Sequence, residues 1–294
     1  MDRPEKLKGG YMPKVTFQGE LGAYSELAAR EFFQKDTTVQ PTQTFSGVFE
    51  RVVNGDADFG MIPIENSLAG SIHENYDLLL EHDLVIVGEI KLRIKHHLIV
   101  MPGVSLEELR RVVSHPQALS QCRDFLKNLD GVTAEPVYDT AGSVKMLKES
   151  GARDLAAIAS AQAAQDYGLE VLAAGIESNH HNYTRFLAIA KNGEPGEGAM
   201  KTSIVFSTQN KPGGLFKSLT VFALRDINLL KIESRPLFGS PWEYMFYLDL
   251  EGSNADEPCA KALGHLEELA ASVRVLGTYE QGRTIEGHIN RRQE

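Results

Sequence analysis

Cysteine, positive charge and long apolar runs are all scarce in this chain, and each shortage excludes something. Its 294 residues hold two cysteines, Cys122 and Cys259, far apart and in no CxxC pair. That pattern excludes a disulfide scaffold and points to a reducing compartment, with the cytosol as the default expectation. No run of about 18 apolar residues occurs, so no membrane span is expected. The opening stretch MDRPEKLKGGYMPK lacks the apolar core of a secretory signal. Lys and Arg number 30 against 40 Asp and Glu, a net charge of −10. Such an acidic chain is no general binder of nucleic acid or anionic lipid, although a local basic cleft could still hold a small anion. The histidines show no zinc spacing. His96 and His97 adjoin in a strand-like run and point to opposite faces. Glu177 and His180 fall in a loop-like stretch that does not bring them together. No metal or cofactor is therefore expected.

What is present is a soluble globular composition, 42% hydrophobic and 24% charged, in a chain long enough for two or three compact units. Through the first two-thirds, strand-like and helix-like segments alternate. Lys14–Phe17 is β-prone, and Ser25–Gln34 reads as a helix with Ser25 as its N-cap. Ser46–Val53 carries Val48/Phe49 and Val52/Val53 four apart, one face of a helix. Asp58–Ile64 is a buried strand and His73–His82 a helix. Leu84–Met101 reads as one long strand, because Ile90, Leu92 and Ile94 alternate with Lys91, Arg93 and Lys95. A second set follows. Ser105-Leu-Glu-Glu is a capping box, Val112–Ser114 a strand and Pro116–Asn128 a helix. Val132–Tyr138, Thr140–Glu149, Leu155–Ala159 and Ser160–Tyr167 continue the alternation, and Thr184–Ala190 returns as a strand. This order predicts an α/β fold of two subdomains with mostly parallel sheets and a ligand cleft between the lobes.

Residues 191–200, rich in Gly, Pro and Glu, read as a linker. Beyond them the order becomes βαββαβ over 201–280: Thr202–Ser207, Gly213–Arg225, Leu229–Leu237, Glu243–Leu250, Pro258–Ala271 and Val273–Tyr279. That is the ferredoxin-like order of an α+β domain. Pro236 is expected to break strand pairing locally. Tyr244, Phe246 and Leu248 put apolar area on one sheet face, which predicts pairing with a second copy.

Four segments together resemble the prephenate dehydratase family. They are Phe17-Gln-Gly-Glu-Leu-Gly-Ala-Tyr-Ser25, Ile62-Pro-Ile-Glu-Asn-Ser-Leu-Ala-Gly-Ser71, Ser114-His-Pro-Gln-Ala-Leu-Ser-Gln-Cys122 and Asn182-Tyr-Thr-Arg-Phe186. The C-terminal part resembles an ACT regulatory domain through Pro212-Gly-Gly-Leu215 and Ile232-Glu-Ser-Arg-Pro236; the family's usual first motif is Gly-Ala-Leu, so Gly214 is a departure. The resemblance implies a catalytic domain over 14–190, built like a type II periplasmic binding protein from subdomains 14–95 plus 177–190 and 96–176. It implies a regulatory ACT domain over 201–280 that binds phenylalanine, and a homodimer or homotetramer. The implied reaction is the decarboxylating dehydration of prephenate to phenylpyruvate in phenylalanine biosynthesis, without a cofactor. Arogenate, with an amino group in place of the keto group, is an alternative substrate, and a non-catalytic amino-acid sensor an alternative function.

The residues support these roles with different force. Gly19, Gly22, Tyr24 and Ser25 sit where a strand turns into a helix; free backbone N–H groups there could bind an anion, or the stretch could be a plain turn. Asn66 and Ser67 follow a buried strand and could hydrogen-bond substrate or simply form an Asx turn. Gln117 and Ser120 open a helix and could donate to substrate; Gln117 ranks above His115. Thr184 could pass a proton to the leaving hydroxyl, Arg185 could hold a carboxylate, and Phe186 could face the ring or pack in the core. Adjacent strand residues face opposite ways, so Thr184 and Arg185 both reach the cleft only if residues 182–184 are irregular. In the C-terminal part, Gly213, Gly214 and Leu215 with Glu233, Ser234, Arg235 and Pro236 are the candidate phenylalanine site. The plain alternative there is a helix start and a Glu233–Arg235 surface ion pair.

Overall fold

The computed structural model describes residues 12–34, 37–193, 198, 200–237 and 243–286. In chain order the elements are β1 (Lys14–Gln18), α1 (Tyr24–Phe33), β2 (Thr38–Thr42), α2 (Phe45–Asn54), β3 (Phe59–Asn66), β4 (Gly70–Ser71), α3 (His73–Glu81), β5 (Val85–Arg93) and β6 (His97–Val100). A 3-10 turn at Leu106–Glu108 precedes β7 (Arg111–Ser114), α4 (Pro116–Gln121), α5 (Arg123–Leu126), β8 (Thr133–Pro136), α6 (Thr140–Ser150), β9 (Leu155–Ala159), α7 (Ala161–Asp166), β10 (Glu170–Ala174) and β11 (Tyr183–Ala190). The last elements are β12 (Met200–Ser207), α8 (Gly214–Ala223), β13 (Leu229–Pro236), β14 (Tyr244–Glu251), α9 (Glu257–Leu269), β15 (Ser272–Glu280) and β16 (Thr284–Ile285). No helix among the described residues is long and apolar enough to cross a membrane.

The helix starts follow local chemistry. Thr44 caps α2 by accepting from the Gly47 N–H at 3.1 Å, Asp139 caps α6 through Gly142 at 2.6 Å, and Ser160 caps α7 through Ala163 at 3.0 Å. The capping box at Ser105 and Glu108 is present. Helix α1 departs from expectation. Its N-cap is Ala23, and Ser25 lies inside the first turn, buried. The Glu26 carboxylate replaces a serine cap: it accepts from the Gly22 N–H at 2.7 Å and pairs with Arg30. A charged acceptor makes the stronger bond to a backbone donor.

The chain forms two compact units. One comprises Met12–His82, Ile90–Leu187 and the residues from Arg283 on; the other comprises Asp83–Glu89 and Ala188–Gly282. The boundary thus falls inside β11, between Leu187 and Ala188. Half of the expected linker at 191–200 lies outside the described residues.

A seven-stranded sheet has the order β16-β5-β11-β3-β1-β2, with β4 on β3, and a five-stranded sheet has the order β10-β6-β9-β7-β8. The single strand expected over 84–101 is two strands, β5 and β6, in different sheets. The expected parallel pairing holds for β1 with β2 and β3, and for β7 with β8 and β9. Strand β6, however, runs antiparallel to both β9 and β10. The helix expected over 116–128 is likewise two short helices meeting at the buried Cys122.

In the other unit, β12, α8, β13, β14, α9 and β15 give an antiparallel sheet in the order β13-β14-β12-β15, the ferredoxin-like arrangement. Its core joins Ile204, Phe206, Phe222, Leu248, Leu250 and Leu266. Phe246 packs against this same core and stacks on Phe206 at 5.4 Å. The face carrying Phe246 and Leu248 is therefore spent inside the unit, and does not supply the pairing surface expected of it; only Tyr244 of that trio is exposed. Pro236 does not break pairing either. The β13–β14 register runs through Pro236 opposite Tyr244, and the Leu237 N–H reaches Glu243 O beyond it. Strand β13 is an edge strand, where a missing N–H costs no ladder bond.

The opposite face of this sheet buries charge. Lys201 meets both Glu89 carboxylate oxygens at 3.0 and 2.9 Å and Asp249 at 3.7 Å. Asp249 in turn accepts from Ser203 at 2.5 Å, and Ser203 contacts the Tyr279 hydroxyl at 2.6 Å. Cutting the chain near Gly196 removes the Lys201 and Gly282 partners of Glu89 and parts Asp83–Glu89 from the rest of its unit, so residues before the linker do not form a complete unit.

Candidate active site

Strand β3 carries Ile62 and Ile64 through the core and ends on Asn66, which is 5% exposed. The Asn66 Oδ1 accepts from the Leu68 and Ala69 N–H groups at 3.0 and 2.9 Å. This is an Asx turn, and it determines what the rest of the side chain can do. With the oxygen spent on the backbone, Nδ2 faces Asn182 Oδ1 at 2.8 Å, Thr184 Oγ1 at 3.0 Å and Tyr183 O at 3.2 Å. Turning the amide over would strand two backbone donors, at about 1–3 kcal/mol each. Ser67 fastens the same two segments: its N–H donates to Tyr183 O at 2.8 Å, its hydroxyl donates to His181 O at 2.8 Å, and it accepts from the Tyr183 N–H at 2.9 Å.

Thr184 is 8% exposed and takes the Asn66 amide hydrogen on its oxygen. Strand β11 is unbroken from Tyr183 to Ala190. Thr184 and Phe186 therefore share one face, while Arg185 points to the other. The irregularity needed to bring Thr184 and Arg185 together is absent, and Phe186 is a core side chain at 2% exposure.

Behind Thr184 the contacts continue inward. Asn182 Nδ2 donates to Gln121 Oε1 at 2.9 Å, and the same oxygen lies 2.8 Å from His96 Nε2. His96 Nδ1 is 3.1 Å from the Tyr24 hydroxyl, which also reaches Lys95 O at 2.7 Å. The His96 backbone N–H donates to Glu177 Oε2 at 3.0 Å. Each of the four sequence segments thus places a residue on one continuous path: Tyr24, Asn66, Gln121, and Asn182 with Thr184. Burial lowers the His96 pKa against smaller opposing effects of Gln121 and Glu177. Burial raises that of Tyr24 well above its ordinary value, reinforced by Cys122 and Glu177. Burial, with Glu177, pushes the Cys122 thiol up to about 12.

Other expected site residues lie elsewhere. Gln117 and Ser120 are exposed, and the Gln117 N–H is engaged by His115 Nδ1 at 3.2 Å. The inward-facing amide is Gln121, next to Ser120. In the glycine loop, Gly19 donates to Thr42 O at 2.9 Å, Gly22 to Glu26, and Ala23 to Glu20 O at 3.1 Å. These three N–H groups are not open to an anion. Gly22 serves close packing instead: its φ is +86°, and a Cβ there would meet Ala163 Cα at 2.5 Å. Ser160 Oγ donates to Gly22 O at 2.7 Å. Glu177 and His180, expected to be apart, do meet, at 3.4 Å. No group of three or more His, Cys, Asp or Glu among the described residues could hold a metal ion.

In the ferredoxin-like unit, Gly213 caps α8 with φ +77°, and Gly214 N–H donates to Lys211 O at 3.0 Å. Leu215 packs on the core. Along β13, Ser234 and Pro236 are exposed and Glu233 and Arg235 half-buried, with Glu233 3.8 Å from Lys231.

Comparison with known proteins agrees with this architecture. Residues 15–194 match the family model described as prephenate dehydratase. The chain is 48% identical over 292 residues to arogenate dehydratase/prephenate dehydratase 2, chloroplastic, of Arabidopsis thaliana, covering 96% of this chain and 76% of that protein. A structure of prephenate dehydratase from Arthrobacter aurescens in complex with L-Phe superposes with a TM-score of 0.84 at 34% identity, covering 91% of this chain and 90% of the other. A structure described as GqqA, a novel type of quorum quenching acylase, superposes at 0.85 with 36% identity, covering 92% and 98%. With more than half its length matched by the family model, the chain belongs to the prephenate dehydratase family.

Proposed function

We propose that the chain catalyses the decarboxylating dehydration of prephenate to phenylpyruvate, with Thr184 as proton donor. The observation that carries this reading is the direction of one hydrogen bond. Asn66 Nδ2 donates to Thr184 Oγ1, so the threonine hydrogen is free for the leaving group. As the substrate's ring carboxylate leaves as carbon dioxide, the electron pair of that C–C bond moves into the ring. The ring C–O bond breaks, and the departing oxygen takes the Thr184 proton and leaves as water. Negative charge then develops on Thr184 Oγ1, where the Asn66 N–H already points and stabilises it. Solvent returns the proton. One prephenate dianion and one proton thus become phenylpyruvate, carbon dioxide and water, and aromatisation supplies the driving force.

Arogenate is the second reading, favoured by the name of the Arabidopsis relative, which carries both activities. Incubating the pure chain with each substrate, and following aromatic product, separates the readings. Phenylpyruvate from prephenate supports the first, phenylalanine from arogenate alone supports the second, and product from neither overturns both. Tyr24, Asn66 and Ser67 belong to the proposed site directly. Ser25, Gln117, Ser120 and Arg185 belong to its surroundings.

Phenylalanine is the proposed regulator, supported by the Arthrobacter aurescens structure that holds it. The start of α8 at Gly213–Leu215 and β13 at Glu233–Pro236 are its proposed site, and 201–280 the regulatory ACT domain. Self-association to a dimer or tetramer is proposed through α8 and its C-cap, where Phe216 and Leu224 are exposed; sedimentation at micromolar concentration tests it. A reducing compartment fits Cys122 and Cys259, both free and buried.

A further inference from the structure

The Asx turn at Asn66 has a consequence at the far end of the site. Asn66 Oδ1 is held by two backbone donors, so its amide nitrogen faces Asn182 and Thr184. Asn182 must then present Oδ1 to Asn66 and Nδ2 to Gln121. Gln121 must present Oε1 to Asn182, and that oxygen also faces His96 Nε2 at 2.8 Å. An amide oxygen only accepts, so Nε2 carries the hydrogen. We infer that His96 is a positioning residue held as the Nε2–H tautomer, whose donated hydrogen fixes Gln121 and Asn182 and so keeps the Asn66 amide on Thr184.

The reversed arrangement fails at a definite place. If Nε2 were the acceptor, Gln121 would turn its NH2 toward His96. Asn182 would then meet an NH2 group from Gln121 and another from Asn66, with its own NH2 forced against one of them, unless Asn66 also turned over. Turning Asn66 removes the acceptor of Leu68 and Ala69. The turn at residues 66–69 therefore dictates the tautomer of a ring three side chains away.

Tyr24 closes the other side. Its hydroxyl has two acceptors in reach, Lys95 O at 2.7 Å and His96 Nδ1 at 3.1 Å. With His96 neutral, Nδ1 is a lone pair and Tyr24 can donate to it. A proton on Nδ1 forces Tyr24 to donate to Lys95 O alone. The titratable groups around the ring are Tyr24 from α1, Cys122 at the end of α4, and Glu177 in the segment before β11 with His180 behind it. His96 is 2% exposed, and burial favours its neutral form. This inference deepens the proposed role of Thr184. Its effect on turnover rests on that role, whereas the tautomer does not.

The test is nitrogen NMR of the full chain labelled with 15N-histidine near neutral pH, with two variants beside it. The expected His96 signals are a protonated Nε2 and an unprotonated Nδ1. His96→Gln keeps an N–H donor near the Nε2 position, and His96→Phe keeps the ring without a donor. His96→Phe is expected to lower kcat roughly tenfold, as for one lost neutral hydrogen bond, with KM little changed, and His96→Gln to recover most of it. A hydrogen on Nδ1 with Nε2 bare overturns the inference whether or not either variant folds. Equal losses in both variants, or wild-type kcat in His96→Phe, overturn the positioning role. A wild type that turns over neither substrate overturns the dehydratase reading, and the nitrogen signals still decide the tautomer.

Discussion

Replacing Asn66 by Asp changes almost no volume and reverses the sense of one contact. The introduced carboxylate can still accept from Leu68 and Ala69. Its second oxygen, however, takes the place of an NH2 group that faces Asn182 Oδ1, Tyr183 O and Thr184 Oγ1 at 2.8, 3.2 and 3.0 Å. Thr184 can respond by turning its hydroxyl hydrogen onto the carboxylate, whereas Asn182 can offer its NH2 only if Gln121 and the His96 tautomer reverse with it. The hydroxyl hydrogen is then lost to the substrate, and no N–H stabilises charge on Oγ1. The expected loss in kcat is that of acid assistance, about 10²–10⁴. A buried charge facing oxygens without a cation costs stability of about 3–5 kcal/mol, less once the group takes up a proton. Burial among oxygens raises the carboxyl above its ordinary value of about 3.9. The neutral acid is again a donor, so it restores the original sense of the contact. Asn66→Asp should therefore gain kcat as pH falls from about 8 toward 6, relative to wild type over the same range. The assay is kcat for aromatic product across pH, with urea midpoints for stability. A kcat equal to wild type at the alkaline end, or a loss of the same size at every pH, refutes the reasoning.

Other sites give simpler expectations. Lys201→Met leaves Glu89 and Asp249 buried without their cation, so the urea midpoint should fall by the equivalent of about 3–5 kcal/mol; an unchanged midpoint contradicts this. Gly213→Val forces a branched residue to φ +77°, at a cost of about 1–3 kcal/mol, although its Cβ meets nothing within 4 Å. Calorimetry should show weaker phenylalanine binding with turnover retained, and full inhibition would place the regulator elsewhere. Cys122, pushed up to about 12 by burial, should resist iodoacetamide in the folded chain and react on unfolding; rapid native labelling contradicts this.

The elements with strong periodicity were legible in the sequence. Val48, Phe49 and Val52 mark the buried face of α2, and the helix read over Ser160–Tyr167 is present as α7, with Ser160 as its cap rather than its first residue. Strands β2, β10 and β16 were not legible. They are short, and Pro41 in β2 is against strand propensity, so pairing with neighbours rather than local preference makes them strands. The break between β5 and β6 was hidden because alternation continues through Ile94 while the chain changes sheets. In the site, motif position pointed to Asn66, Thr184 and Tyr24. The helix start points to Gln117, which is exposed, whereas the amide that turns inward is Gln121, one turn later. Asn182 opens the fourth motif, but its role and that of His96 depend on partners distant in sequence. The reading of His180 as remote from Glu177 failed for a related reason: a loop can bring i and i+3 together as a helix does.

The account turns on a free hydroxyl hydrogen at Thr184, and its removal is the most direct test. Thr184→Ala and Thr184→Ser should be compared with wild type for kcat on whichever substrate is turned over, with thermal midpoints confirming that both variants fold. Thr184→Ala should lose roughly 10²-fold or more in kcat, and Thr184→Ser, which keeps the hydroxyl, should retain distinctly more. Wild-type kcat in both variants, with folding intact, would mean that the leaving oxygen takes its proton from another group.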